Sequence, residues 1–377
     1  MIKRLCFLLT AAFLALSCSG SREKAFEKEM EAFREEMGNV GLAVAVVKDR
    51  HIVYSQSFGV ADRETGAPVQ ENSLFRIASI SKSFSATSMM QLVEKGLVRL
   101  DTDVSELAGF PIRNPRFPDE VITLEMLLSH TSSLNDSEGY FNLDVINPAT
   151  NPNWACCYND YSPGAGYEYC NLNFNLVGTF IERLSGERFD QYVTHHVLEP
   201  LGLYGGYCVD SLDASRFVKL YGFEDGEYVE KTDAYEPRSE RIARYQFGYD
   251  TPVFSPTGGM KISAPDLARY MMMHMGWGTA PDGTVIMSEE SSRSMQTERS
   301  APEHYGLALC HDFTRIPGVE LVGHTGGAYG LRSAMFWDPG RRFGLVCISS
   351  GSRDPEKDGE SRMLNGTLNL LYKHFCQ

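Results

Sequence analysis

The sequence predicts an α/β protein of the α+β kind, in which an antiparallel sheet flanked by N- and C-terminal helices is interrupted by an inserted, mostly helical lobe. Three observations predict it. Strand-like runs sit early, at Leu42 to Val47 and Ile52 to Phe58, and return late, at Val319 to His324, Arg332 to Trp337 and Phe343 to Ser349. Apolar residues recur at helical spacing at both ends, through Phe26, Met30, Phe33 and Met37 and again through Met363, Leu364, Thr367, Leu368, Leu371 and Phe375. Between them lies a stretch rich in Asn, Pro, Gly and Tyr with helical pieces and few convincing strands. With 377 residues and 43% hydrophobic content, the chain can bury a large core in two or so lobes.

Residues 1–17 combine a basic start at Lys3 and Arg4 with an apolar run from Leu5 to Leu16. The run is well short of the roughly 20 residues that a spanning helix needs, so it reads as a signal peptide. Cys18, after Ala15-Leu16-Ser17, resembles a bacterial lipoprotein cleavage box, with Ala15 where such boxes prefer Leu. The expected compartment is the bacterial cell envelope, reached either through a lipidated Cys18 that attaches the protein to the membrane or as a soluble secreted form. Residues 24–99 and 252–377 then form the sheet lobe, and 100–251 the inserted lobe. In the first segment, the polar Lys48-Asp49-Arg50-His51 joins the two early strands. A helix follows from Ser79, its buried stripe made by Ile80, Phe84, Met89, Leu92, Val93 and Leu97. Ser263-Ala264-Pro265-Asp266 caps a later helix whose Met271, Met272, Met273 and Met275 read as core filling. Asp338-Pro339-Gly340 supplies turn chemistry between the last two strands.

A net charge of −14 argues against nucleic acid or an anionic membrane surface as the main partner and leaves small-molecule chemistry open. Of nine cysteines, Cys6 leaves with the signal and Cys18 is lipidated or removed. The remaining odd number leaves at least one free thiol in a monomer. The clustering of Cys156, Cys157, Cys170 and Cys208 suits one or two disulfides in an exported protein, while the absence of paired C-x-x-C spacing argues against zinc.

Chemistry enters at Ser79-Ile80-Ser81-Lys82. A serine hydroxyl is a poor nucleophile near neutral pH and needs a base within hydrogen-bond reach. On a helix, positions i and i+3 lie roughly 5–6 Å apart at Cβ, which brings the Lys82 amine to the Ser79 oxygen. The alternative reading is an ordinary N-cap serine with a solvated lysine, and Ser21-Arg22-Glu23-Lys24 matches the same template in a polar stretch.

Context decides between them. Phe75 to Ala86, Leu127-Leu128-Ser129-His130-Thr131-Ser132, Pro163-Gly164 through Tyr169-Cys170-Asn171 to Gly178, Pro256-Thr257-Gly258-Gly259 and His324-Thr325-Gly326-Gly327 stand in an order that resembles the class C β-lactamase and D-alanyl-D-alanine carboxypeptidase family of serine β-lactamases and penicillin-binding proteins. The resemblance implies the β-lactamase/transpeptidase-like fold and an acyl-enzyme on Ser79. It makes Lys82 and Tyr169 the base system, with the Lys82 cation bringing the tyrosine towards ionisation. It gives Asn171 to the substrate amide, His324, Thr325 and Gly326 to a cleft wall that binds extended substrate, and the N–H groups of Ser79 and Gly327 to the oxyanion hole. Two other runs compete for the Tyr169 element: Tyr140-Phe141-Asn142 and Ser133-Leu134-Asn135.

Two departures narrow the expectation. His324 stands where efficient β-lactamases carry lysine, which predicts a pH-dependent wall titrating near 6.5. Gly327 lacks a hydroxyl that relatives often use to hold a substrate carboxylate. His130 reads as fixing a turn behind the site, Ser133 replaces a usual glycine, and Cys170, where relatives carry serine or alanine, reads as a disulfide partner or an oxidisable thiol at the cleft. No metal or organic cofactor is implied. The expected substrate is a D-amino-acid peptide, such as a peptidoglycan-derived one, a β-lactam, or a related amide or ester. An esterase or amidase, or a sensor with little turnover, remains open, and the oligomeric state is undetermined.

Overall fold

The computed structural model describes residues 20–301, 303–353 and 361–377. The expected signal segment and Cys18 lie outside the described residues. Helix α1 (20–36) leads into β1 (Gly41–Lys48) and β2 (His51–Gly59). These strands are joined by Asp49 and Arg50 alone, both at positive φ, the geometry of a two-residue turn whose twist matches that of the strands. Next come α2 (Ser81–Glu94), α3 (Asn171–Ser185) and α4 (Ala264–Met275). The chain then forms β3 (Cys310–Asp312), β4 (Leu321–Ala328), β5 (Leu331–Trp337) and β6 (Phe343–Ser350) and ends in α5 (Arg362–Leu371).

The strands make one six-stranded antiparallel sheet in the order β2-β1-β6-β5-β4-β3. Early and late chain meet at its centre, where β1 pairs with β6 from Gly41 opposite Ser350 to Lys48 opposite Phe343. Because successive side chains of a strand point to opposite faces, β1 feeds two cores. Leu42, Val44 and Val46 join Phe26 and Met30 of α1 and Met363, Leu368 and Leu371 of α5. Ala43, Ala45 and Val47 join Leu267, Met271 and Met275 of α4. The terminal helices thus cover one face as expected, and the methionine-rich helix fills the core on the other.

Three expectations need correction. The helix after Ser79 does not bury one stripe: its residues from Ser81 to Leu92 are all buried, because α2 packs on α3 and, through Phe84 stacked on Tyr270, on α4. Leu97 lies beyond its end and is 50% exposed. The seven cysteines that follow residue 19, those of the expected cluster included, are free thiols. The middle stretch also contains a short hairpin, Tyr221–Glu224 with Glu227–Glu230, beside its helical pieces.

Two features of the sheet position the site. Strand β3 pairs only with Leu321, Val322 and Gly323, so no described strand pairs with the outer edge of β4 from His324 to Ala328. The segment carrying Ser79 lies across the face of that stretch. The approach requires glycine at 326, where a Cβ would stand 2.2 Å from the Ile77 carbonyl oxygen. Ser333 of β5 fastens the same carbonyl with a 2.8 Å hydrogen bond.

Candidate active site

Ser79 sits in a single 3₁₀ turn, Ala78–Ile80, immediately before α2 rather than on the helix itself. Ala78 has φ of 45°, a left-handed conformation that turns the chain sharply from strand into helix. Lys82, one turn on, is fully buried. Its Nζ lies 3.1 Å from Ser79 Oγ, 2.9 Å from Asn171 Oδ1 and 3.1 Å from the Thr257 carbonyl oxygen. Two of these partners are carbonyls that only accept. A neutral amine has two N–H bonds and one lone pair, so giving the N–H bonds to Asn171 and Thr257 leaves the lone pair for the serine hydroxyl. Burial lowers Lys82 from its usual 10.5 to about 7, with the Asp136 carboxylate opposing that shift.

Asp136 is the residue that sequence reasoning missed. Its carboxylate accepts the backbone N–H groups of Asn171 and Leu172 and the Asn171 side-chain Nδ2, each at 2.9 Å. It therefore caps α3 from a distant loop, and it fixes the Asn171 amide with Oδ1 turned to Lys82. Thr257 Oγ1 donates to that same Oδ1 at 2.8 Å. Thr257 belongs to a run singled out in the sequence, but nothing local marks Asp136, whose role exists only through a loop that returns to a helix start.

Tyr169 does not meet Lys82 as expected. Lys82 Nζ faces the Tyr169 ring, 4.6 Å from its centroid, instead of the phenol oxygen. The hydroxyl is buried without a hydrogen-bond partner among the described residues. Burial pushes the phenol well above its ordinary value, and the neighbouring Ser79 offsets this only in part. It stays protonated near neutrality.

His324 corrects a second expectation. It is 5% exposed. Its Nδ1 lies 2.5 Å from the Thr325 carbonyl oxygen and therefore carries the proton, so Nε2 accepts from the Tyr305 hydroxyl at 2.9 Å. Burial, then the charge of Lys82, lowers His324 to about 3. It is a buried neutral residue rather than a wall group titrating near 6.5. His130 is also buried, its Nδ1 accepting the Cys170 N–H at 3.2 Å, which suits the expected role behind the site. Burial and Lys82 hold it well below 6.5. Cys170 is neither a disulfide partner nor an accessible thiol: it is buried, its Sγ donates to Asp136 at 3.3 Å, and burial pushes it well above 9.

A cavity of about 410 Å³ opens onto Ser79, with Tyr169, Asn171, Thr257 and Gly327 on its walls. Thr325 is half-buried and Gly326 buried beside Ile77, so on the β4 side the cavity meets Gly327, Ala328 and Tyr329 instead of His324. Of the competing runs, Tyr140 and Phe141 line the cavity, whereas Asn142 caps a turn at Asp144. Ser133 is held by Asn114, and Asn135 by Asn159. Among the described residues no group of His, Cys, Asp or Glu is arranged to hold a metal ion.

A serine hydroxyl held against a buried lysine of depressed pKa, at the seam between an antiparallel sheet and a helical lobe, defines a serine hydrolase. The chain belongs to the Beta-lactamase family, whose profile matches residues 26–366. It is 28% identical over 351 residues to Penicillin-binding protein 4 of Amycolatopsis lactamdurans, covering 86% of this chain and 84% of that one. It is 30% identical over 215 residues to Esterase EstB of Burkholderia gladioli, with 52% and 54% covered. Among solved structures, D-alanine carboxypeptidase AmpC from Burkholderia cenocepacia superimposes with a TM-score of 0.72 at 17% identity, over 95% of this chain and 99% of that one, a likeness of fold.

Proposed function

We propose that the protein hydrolyses amide or ester bonds through an acyl-enzyme on Ser79. The observation that carries this reading is the Lys82 amine, 3.1 Å from Ser79 Oγ and with two carbonyls placed to take its N–H groups. The neutral amine takes the serine proton as Oγ bonds to the substrate carbonyl carbon. The oxyanion is received by the backbone N–H groups of Ser79 and Gly327. As the carbonyl re-forms, the leaving group departs with the proton that Lys82 took from Ser79. Water then attacks the ester, Lys82 again taking the proton, and Ser79 is released with the acid. Asn171 serves chiefly to hold Lys82, its remaining N–H being the part left for substrate.

The substrate class we favour is a D-amino-acid peptide or β-lactam, added along the free edge of β4 as a further strand. The similarity to Penicillin-binding protein 4 supports it. An esterase is the second reading, favoured by the similarity to EstB and by a neutral His324 in place of a cation. Envelope localisation, with Cys18 lipidated, belongs to the same proposal.

The test is to incubate the protein without its first 17 residues with a fluorescent penicillin, a D-Ala-D-Ala peptide and a short nitrophenyl ester, following intact mass and turnover. D-Ala release supports the peptidase, ester turnover alone the esterase, and a stable adduct without turnover a sensor. If Ser79→Ala retains full activity, the acyl-enzyme reading is wrong.

A further inference from the structure

On the cavity wall that carries Arg76 and Gly258, a guanidinium with unused terminal nitrogens stands beside a buried hydroxyl that has no partner among the described residues. Arg76 is 6% exposed. Its Nε donates to the Gly258 carbonyl at 2.7 Å and its guanidinium lies over the Tyr329 ring, 4.8 Å from the centroid. The terminal Nη1 and Nη2 make no hydrogen bond to a described residue. No described carboxylate forms an ion pair with Arg76, the nearby Arg238 cation disfavours its charge further, and its opposite number in the neighbouring strand is Lys261. A guanidinium stays protonated in proteins, so this is a largely buried positive charge that no described carboxylate pairs with.

Ser255 stands beside it. The residue is held at φ of 55° and its Oγ is buried without a partner. Between the two lies Gly258: a Cβ there would stand 3.5 Å from Arg76 Nη2, 3.7 Å from Ser255 Oγ and 3.8 Å from the Ala78 carbonyl carbon. The missing side chain leaves a gap bordered by two donors and by the residue preceding the nucleophile, and all of these residues line the same cavity as Ser79. A buried hydroxyl without an acceptor is costly, and a carboxylate, which accepts through both oxygens and matches the guanidinium fork, would satisfy Ser255 and the open terminal nitrogens of Arg76 together.

We propose that Arg76 and Ser255 anchor a carboxylate of the substrate, which makes this enzyme selective for amides or esters bearing a free acid a few bonds from the scissile carbonyl. Gly327 offers no side chain for that purpose, so the anion is held on the opposite wall. The inference rests on the acyl-enzyme reading above.

The experiment compares a peptide-like ester ending in a free carboxylate with the same ester ending in a primary amide, with Ser79 acylation read by intact mass. Wild type is expected to favour the acid by about tenfold or more in kcat/KM, mainly through KM, and less so as salt is raised. Arg76→Gln is expected to bring the ratio to about one, Arg76→Lys to restore part of it, and Ser255→Ala to leave it intermediate. Gly258→Ala, whose methyl fills the gap at ordinary contact distance, lowers the ratio without deleting either donor. Equal acylation of the two substrates by wild type overturns this inference alone, even if Arg76→Gln does not fold, as does an undiminished acid preference in a folded Arg76→Gln. No adduct at Ser79 with either substrate overturns the acyl-enzyme reading as well.

Discussion

The two walls that hold Lys82 and His324 are both buried, and burial treats their bases alike. It takes the lysine from 10.5 to about 7 and the histidine from 6.5 to about 3. The effect is to exchange their expected roles. Lys82, which sequence alone suggests is a permanent cation, becomes the group that titrates near neutrality. His324, whose side chain ordinarily titrates there, stays neutral. What separates them further is the charge that each one faces: Asp136 supports the Lys82 ammonium, whereas Lys82 itself opposes a proton on His324. A side chain's solution pKa therefore says little about which wall of this site responds to pH.

The most severe way to break the comparison is Lys82→Met, which keeps the bulk and removes the base. Turnover should fall about 10²–10⁴-fold, the usual worth of a positioned general base, while the fold survives by circular dichroism. A loss under tenfold would hand proton transfer to another group. Next in size is the wild-type pH profile. The lone pair exists only above the Lys82 pKa, so kcat/KM should drop about tenfold per unit below pH 7, or about 100-fold by pH 5. A midpoint near 6.5 that moved on changing His324 would instead restore the histidine as the titrating group.

Asp136→Asn sharpens the electrostatic half of the argument. Removing the anion removes support for the ammonium, so the acid limb should move to lower pH. Loss of the carboxylate cap on α3 should also cost about 1 kcal/mol, visible as a melting temperature lower by a few degrees. An acid limb that stays put, or moves up, counts against Asp136 as the group that sets Lys82.

His324→Gln should have the smallest effect, with activity within about tenfold of wild type and the pH midpoint unchanged. Its signature lies in stability. The native state keeps His324 neutral down to about 3 while the unfolded chain binds a proton near 6.5, so stability falls as pH drops through that window, by about 1.4 kcal/mol per unit. His274, lowered by burial to about 3, and His130 add to the same acid lability. His324→Gln should therefore flatten the decline of melting temperature between pH 6 and 4, and an unaltered slope would contradict a buried neutral imidazole.

Much of this architecture was legible in the sequence because it is written in local periodicity. The apolar run of β1, the helical spacing of Phe26 and Met30 and the turn at Asp338 each depend on a few adjacent residues. Ser79, Lys82 and Tyr169 could be placed through the order of short motifs. What was not legible depends on distant chain segments meeting. The pKa values of Lys82 and His324 follow from burial under α3 and beside Tyr305. Asp136 matters only because its loop reaches the start of α3. Cysteines grouped along the chain come to rest as separate thiols, each in its own packing environment.

The three-residue strand β3 has a consequence of a different kind. It works as a ruler for the opening: its length sets how much of the neighbouring ladder is already taken and how much is offered to an incoming chain. Lengthening it by two or three residues would zip the enzyme against itself, whereas shortening it would leave a longer, less selective edge. On the proposed mode of binding, in which substrate adds to β4 as an extended strand, the reach of one inconspicuous segment decides what the enzyme can grip before any chemistry begins.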